Sequence, residues 1–227
     1  MNWIMKLCKI SFQVGLICCL VMACNKPAHN QEISSRVSTL PYYNEASFTP
    51  KWLAPKSSEL ENFHSIPDFD FINQDGKRVT EQTFSNAIYV ADFFFTTCPG
   101  ICPKMAQNMA RVAEAFREDS QVKILSHSVT PSIDSVPTLK AYAKDRSIDA
   151  EQWHLVTGNK RTIYDLGRYA YFVEEDLGRE KSADDFLHTE NFVLIDKNRH
   201  IRGIYNGLNK RSVDQLIADI KTLQKEG

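Results

Sequence analysis

The chain has 227 residues, 43% hydrophobic and 24% charged, long enough to close a sizeable core as one domain. Lysine and arginine number 27 against 28 acidic residues, for a formal net charge of −1, which excludes the basic field that nucleic-acid binding requires. Cys8, Cys18, Cys19 and Cys24 precede everything that reads as a fold, leaving Cys98 and Cys102 for the rest, so a disulfide-stapled scaffold is excluded too.

Taken in chain order, the first 23 residues read as a secretory signal. Lys6 and Lys9 precede the mostly apolar run 10–23, which is too short and interrupted to span a membrane comfortably. Val21-Met22-Ala23-Cys24 resembles a bacterial lipoprotein signal, which implies that residues 1–23 are removed and that Cys24 is lipidated as the first mature residue. The other reading is an uncleaved anchor. Both place the domain in the cell envelope, facing the periplasm or extracytoplasmic space. Residues 24–60 then read as anchor, tether and edge segment: Asn25 to about Ser38 is polar, and Leu40 to Trp52, with Tyr42, Tyr43 and Phe48, is too apolar for pure linker. Pro41, Pro50 and Pro55 argue against a long element there, so a short strand or hairpin pinned to the domain edge is expected.

Residues 61–227 form the main domain. Ile66 to Ile72 alternates and turns at Asn73-Gln74-Asp75-Gly76-Lys77, an opening hairpin. Ile88 to Phe95 is a continuous apolar and aromatic strand broken only by Asp92. Pro103 to Glu118 is a helix, with Met105, Met109, Val112 and Phe116 at core spacing. Val122 to Val129 is a second central strand, so strand, helix and strand make a right-handed parallel unit. A helix over 135–146, a strand over 153–157 and a helix over 160–171 follow, then a charged loop or exposed hairpin over 174–181. Asn191 to Asp196 and Ile201 to Asn206 form a hairpin. An amphipathic helix over 212–223, capped by Ser212 with Gln215 three residues on, closes the chain. The order predicts an α/β protein with a central mixed sheet covered by helices.

Chemistry concentrates at Thr96-Thr97-Cys98-Pro99-Gly100-Ile101-Cys102-Pro103. Cysteines at i and i+4 fall on one side of a helical turn. Free N–H groups at a helix start favour the thiolate. The pair is built to react or to bind a soft metal. Met105 and Met109 fit core packing better than metal binding. His127, inside a strand, reads as a structural hydrogen-bonding residue, and His154 and His200 carry no functional signal. Asp92, six residues before Cys98, would gain a raised pKa if buried and could exchange protons with the dithiol.

The stretch Ala91 to Met105 resembles the copper-site motif of the Sco/SenC family, thioredoxin-like copper proteins that help assemble the copper centre of cytochrome oxidase. The likeness extends over roughly 66–223. It implies a thioredoxin-like fold and a copper site made of Cys98, Cys102 and His188, the last in Phe186-Leu187-His188-Thr189-Glu190-Asn191. Two thiolates and an imidazole suit one Cu(I), and Cu(II) with a further ligand; zinc is chemically compatible as well. Gly100 departs from the family pattern, which carries an acidic residue between the cysteines. The resemblance implies a metallochaperone that delivers copper to, or reduces the copper-ligand thiols of, cytochrome oxidase or another extracytoplasmic cuproprotein, as a monomer served by a thiol reductant protein. The alternative is an envelope thiol–disulfide oxidoreductase without metal, in which Cys98 attacks and Cys102 resolves. A structural disulfide across so short a loop would stabilise little.

Overall fold

A computed structural model describes residues 33–174, 187 and 189–226. Seven strands form one mixed sheet: β1 (Asp70–Asn73), β2 (Arg78–Thr80), β3 (Ile88–Phe94), β4 (Val122–Ser128), β5 (Trp153–Thr157), β6 (Asn191–Ile195) and β7 (Ile201–Asn206). The order across the sheet is β2-β1-β5-β4-β3-β6-β7. The middle three, β5, β4 and β3, are parallel, and the pairings outside them are antiparallel. This is a thioredoxin-like sheet with extra strands.

Every side chain of β3 is buried, as a strand covered on both faces requires. Alternation sends Ile88, Val90 and Phe94 to one apolar layer and Tyr89, Ala91 and Phe93 to the other. The first layer holds helices α1 (Cys102–Ala115), α2 (Val136–Asp145) and α4 (Lys210–Leu223), through Met105, Met109, Val112, Leu139, Val213 and Leu216. Both methionines are therefore core, as their spacing predicts. The second layer packs under α3 (Lys160–Asp165), through Ile163 and Tyr164.

The expected hairpins are present at β1–β2 and β6–β7. Three local features differ from the pattern. The helix expected over 160–171 is α-helical only to Asp165 and then widens into a π-turn over Leu166–Ala170. The closing helix starts two residues earlier, capped by Asn209, whose side chain accepts from the amides of Arg211 and Ser212; the Ser212 hydroxyl instead accepts from the Asn206 amide. The aromatic segment after residue 40, expected as a short strand or hairpin pinned to the domain edge, is pinned to the edge strand β7 and doubles back, but only through single bridges, Tyr43 with Ile201 and Tyr42 with Lys51.

That segment is held by one arginine. Arg202 donates from Nε to the Pro41 carbonyl at 3.1 Å, and from its terminal nitrogens to the Leu40 carbonyl at 2.7 Å, Asp196 at 3.2 Å and Glu226 at 2.6 Å. Its guanidinium lies 3.9 Å from the Tyr42 ring centroid. Leu40 and Tyr42 are buried with the core. The charged stretch expected as a loop over 174–181 lies, apart from Glu174, outside the described residues.

Candidate dithiol and metal site

β3 delivers the chain to the site. Beyond Phe94 it turns, with the Cys98 amide donating to the Phe95 carbonyl at 3.3 Å, and enters α1 at Cys102 with Pro103 in its first turn. Cys98 thus lies in the bend ahead of the helix and only Cys102 is helical, where periodicity alone put both on one turn. The two nevertheless influence each other's ionisation, and both are free thiols. Cys98 is half-buried and Cys102 buried.

Their environments separate the two thiols. Burial raises Cys98, but the Cys102 thiol and the backbone N–H groups of Cys102, Gly100 and Ile101 outweigh it, and Cys98 ends below the ordinary thiol value. Burial pushes Cys102 up to about 12, and the hydrogen bond to Cys98 and the charges of Cys98 and Asp92 act in the same sense. The lowered thiol is the one that gives up its proton more readily, and Cys102 holds its proton longer.

Asp92 belongs with the even-numbered β3 residues on the α1 side of the sheet. It is only 3% exposed, and burial raises its carboxyl to about 7 despite a hydrogen bond from Ser126. Ser126 sits directly across from it in the β3–β4 register and accepts in turn from the Trp153 indole at 2.8 Å. Sequence reasoning missed Ser126 and Trp153. The available signal was a serine in an apolar strand at the register position of a lone aspartate.

His127 points to the other side. Its ring stacks on Phe93 at 4.7 Å, its Nδ1 lies 3.3 Å from the Asp92 carbonyl, and burial lowers it to about 4. It is a neutral core histidine, separated by the sheet from the thiols. His154 is also buried and lowered to about 4, with Nδ1 3.3 Å from Asn73.

A second carboxylate approaches the dithiol bend from the loop after β4. Asp134 is fully buried and accepts from the Thr96 hydroxyl at 2.5 Å, the Thr96 amide at 3.3 Å, the Ser128 hydroxyl at 2.6 Å and the Thr130 hydroxyl at 3.0 Å. Nothing in the sequence distinguished it from an ordinary turn aspartate.

Gly100 has open space around it: a Cβ there would meet nothing within 4 Å. Among the described residues no group of three or more His, Cys, Asp or Glu could hold a metal ion. His188, the expected third ligand, and Cys24, the expected lipidation site, lie outside the described residues. Among the described residues no helix is long and apolar enough to cross a membrane.

A half-buried thiol paired with a buried one, at the carboxyl end of a central parallel strand, marks a protein of the thioredoxin-like fold class with a free dithiol. The particular family follows from comparison: the chain belongs to the SCO1/SenC family, whose model matches residues 57–225. It is 29% identical over 160 residues to the SCO1 protein homolog of Bacillus subtilis, covering 70% of this chain and 82% of that protein. Among solved structures it is similar to BsSco, a member of the Sco family of cytochrome c oxidase assembly proteins in which a disulfide switch is described. The TM-score is 0.59 and the identity 27%, over 70% of this chain and 93% of that one. It is also similar to Arabidopsis thaliana ScoI with copper bound, with a TM-score of 0.54 and 26% identity, over 70% of this chain and 98% of that one.

Proposed function

We propose that this protein is an extracytoplasmic copper assembly factor that binds one copper ion as cargo through Cys98, Cys102 and His188. It passes the ion to the copper-bearing subunit of cytochrome oxidase or another cuproprotein. The observation that supports this reading best is the asymmetric pair of free thiols, Cys98 half-buried in the bend ahead of α1 and Cys102 buried in its first turn, with Cys98 lowered by the backbone around it. Thiolates are soft donors that favour Cu(I), and a third, imidazole ligand completes a trigonal set. A low coordination number at a partly exposed site suits release to a partner. The same two sulfurs also support thiol–disulfide exchange, so the protein can reduce the copper-ligand thiols of its recipient, with a thiol reductant protein restoring it.

The test is anaerobic Cu(I) competition titration combined with thiol counting. His188→Ala should lose much copper affinity yet still form the Cys98–Cys102 disulfide, whereas Cys98→Ser and Cys102→Ser should lose both properties. A His188→Ala variant that binds copper as tightly as the parent rejects the three-ligand site and leaves the metal-free oxidoreductase as the better reading. For location, we propose that Cys24 carries lipid and ties the domain to a membrane surface. Mass spectrometry of membrane-extracted protein should find an acylated Cys24, and a chain still beginning at Met1 rejects it.

A further inference from the structure

We propose that Asp134 is a positioning residue for the dithiol. It holds the bend that carries Cys98 in its reduced geometry and so sets the balance between dithiol and disulfide. The inference rests on the reading of Cys98 and Cys102 as the working pair, and it goes beyond it by assigning control of that pair to a residue on a different loop.

The argument starts from register. β3 and β4 run parallel with Phe94 opposite Ser128, and the Val129 amide donates to the Phe94 carbonyl at 2.9 Å. The two strands therefore release their following loops side by side at the same end of the sheet. The loop after β4 folds back on itself, with the amides of Ile133 and Asp134 donating to the Thr130 carbonyl at 2.8 and 2.9 Å. That fold brings the Asp134 carboxylate between the two loops. Its Oδ2 accepts from Ser128 and Thr130 on its own side. Both of its oxygens accept from Thr96 on the other: Oδ1 from the hydroxyl and Oδ2 from the amide.

Thr96 is the second residue of the turn in which the Cys98 amide donates to the Phe95 carbonyl. Gripping Thr96 by backbone and side chain together fixes that turn, and with it the starting point of Cys98. Burying a carboxylate is costly unless its lone pairs are satisfied. Here half of the donors come from the bend that carries the reactive sulfur.

Oxidation requires the two free sulfurs to approach each other to about 2.05 Å. The grip on Thr96 resists that movement and favours the dithiol. In the balanced reaction the two thiols give up two electrons and two protons, which an added low-molecular-weight disulfide such as oxidised glutathione takes up to become two thiols.

The experiment measures the dithiol–disulfide equilibrium of the metal-free protein in glutathione buffers, by acid quench, alkylation and mass spectrometry, together with unfolding midpoints. Three variants are compared. Asp134→Asn alters the acceptor itself. Thr96→Val removes only the hydroxyl on the dithiol side. Thr130→Val removes a comparable hydroxyl on the far side and reports the purely structural cost. Asp134→Asn and Thr96→Val should favour the disulfide by about tenfold, a potential lower by about 30 mV. Thr130→Val should lose similar stability yet move the equilibrium by less than about twofold, a small fraction of that shift. An equal shift in Thr130→Val, no shift in Thr96→Val, or a shift toward the dithiol overturns the proposal. Because no metal is present, failure here leaves the copper reading standing, and failure of the His188→Ala copper titration leaves this one standing.

Discussion

The indole N–H of Trp153 donates to the Ser126 hydroxyl at 2.8 Å, and that contact decides where a proton on Asp92 resides. An indole N–H is a donor only, so Ser126 accepts from it and turns its own hydrogen to Asp92 Oδ1. A protonated Asp92 therefore carries its proton on Oδ2. The carboxyl is raised to about 7 from 3.8, so the folded state keeps a proton that the unfolded chain releases. The resulting stability is fully present below about pH 4 and is lost as pH rises through about 7. Roughly three units correspond to at most about 4 kcal/mol. Asp92→Asn should remove this dependence. Urea unfolding at pH 5 and pH 8 should show the variant gaining on the parent at the higher pH. The neutral buried His127 and His154 act in both proteins and cancel in the difference. Parallel stability profiles for parent and variant would sink the assignment.

The two thiols should be chemically unequal. Cys98 is half-buried and lowered, Cys102 buried and pushed up to about 12. Limited iodoacetamide treatment of the reduced protein near pH 7.5 should therefore label Cys98 almost alone, as read by peptide mass spectrometry. Cys102 is among the groups that lower Cys98, so Cys102→Ser, which removes that thiol, should move the midpoint of the Cys98 alkylation profile. Equal labelling of both cysteines in the parent contradicts the asymmetry.

Gly100 offers a third test. A Cβ there meets nothing within 4 Å, and its backbone is not in the left-handed region. Gly100→Glu should therefore fold normally, with a stability change within about 1 kcal/mol. A carboxylate beside a site that favours a thiolate opposes the second negative charge, so the Cys98 alkylation midpoint should move to higher pH. Movement to lower pH contradicts a bend that favours the Cys98 thiolate, and large destabilisation contradicts the open space at Gly100.

Arg202 should be the costliest surface-remote residue to replace. It is 3% exposed and bonds two carbonyls and two carboxylates at once. Arg202→Met leaves Asp196 and Glu226 without that partner and should cost about 3–5 kcal/mol in urea unfolding. Arg202→Lys should recover little, because a point charge cannot replace the planar fork. Full recovery by lysine would show that charge alone matters.

The sequence made the strand–dithiol–helix unit readable because local signals agree there: an unbroken apolar run, turn residues at Pro99 and Gly100, then helical spacing from Met105 to Phe116. The β6–β7 hairpin and β5 were readable for the same reason. What escaped depends on contacts across the fold. Asn209 rather than Ser212 caps α4 because the β7 turn brings its side chain to two amides, and both residues are equally good caps on paper. The π-turn at Leu166–Ala170 has no local signature. The Asp134–Thr96 pairing joins residues on two loops, and only the parallel register of β3 and β4 brings them together. Arg202, buried inside an otherwise uncharged strand, also escaped the sequence reading, because its carbonyl and carboxylate partners come from Leu40, Pro41, Asp196 and Glu226.

That parallel register has a consequence for how such a site can vary. The two cysteines and the carboxylate that grips their bend come from separate loops, and the carboxylate's loop supplies no sulfur. Substitutions at Pro131, Ser132 and Ile133 can reshape that loop around Asp134 without altering the cysteine loop's own residues or the strands beneath. The surroundings of Cys98 are thereby open to gradual adjustment from a neighbouring segment while the cysteine pair itself stays constant.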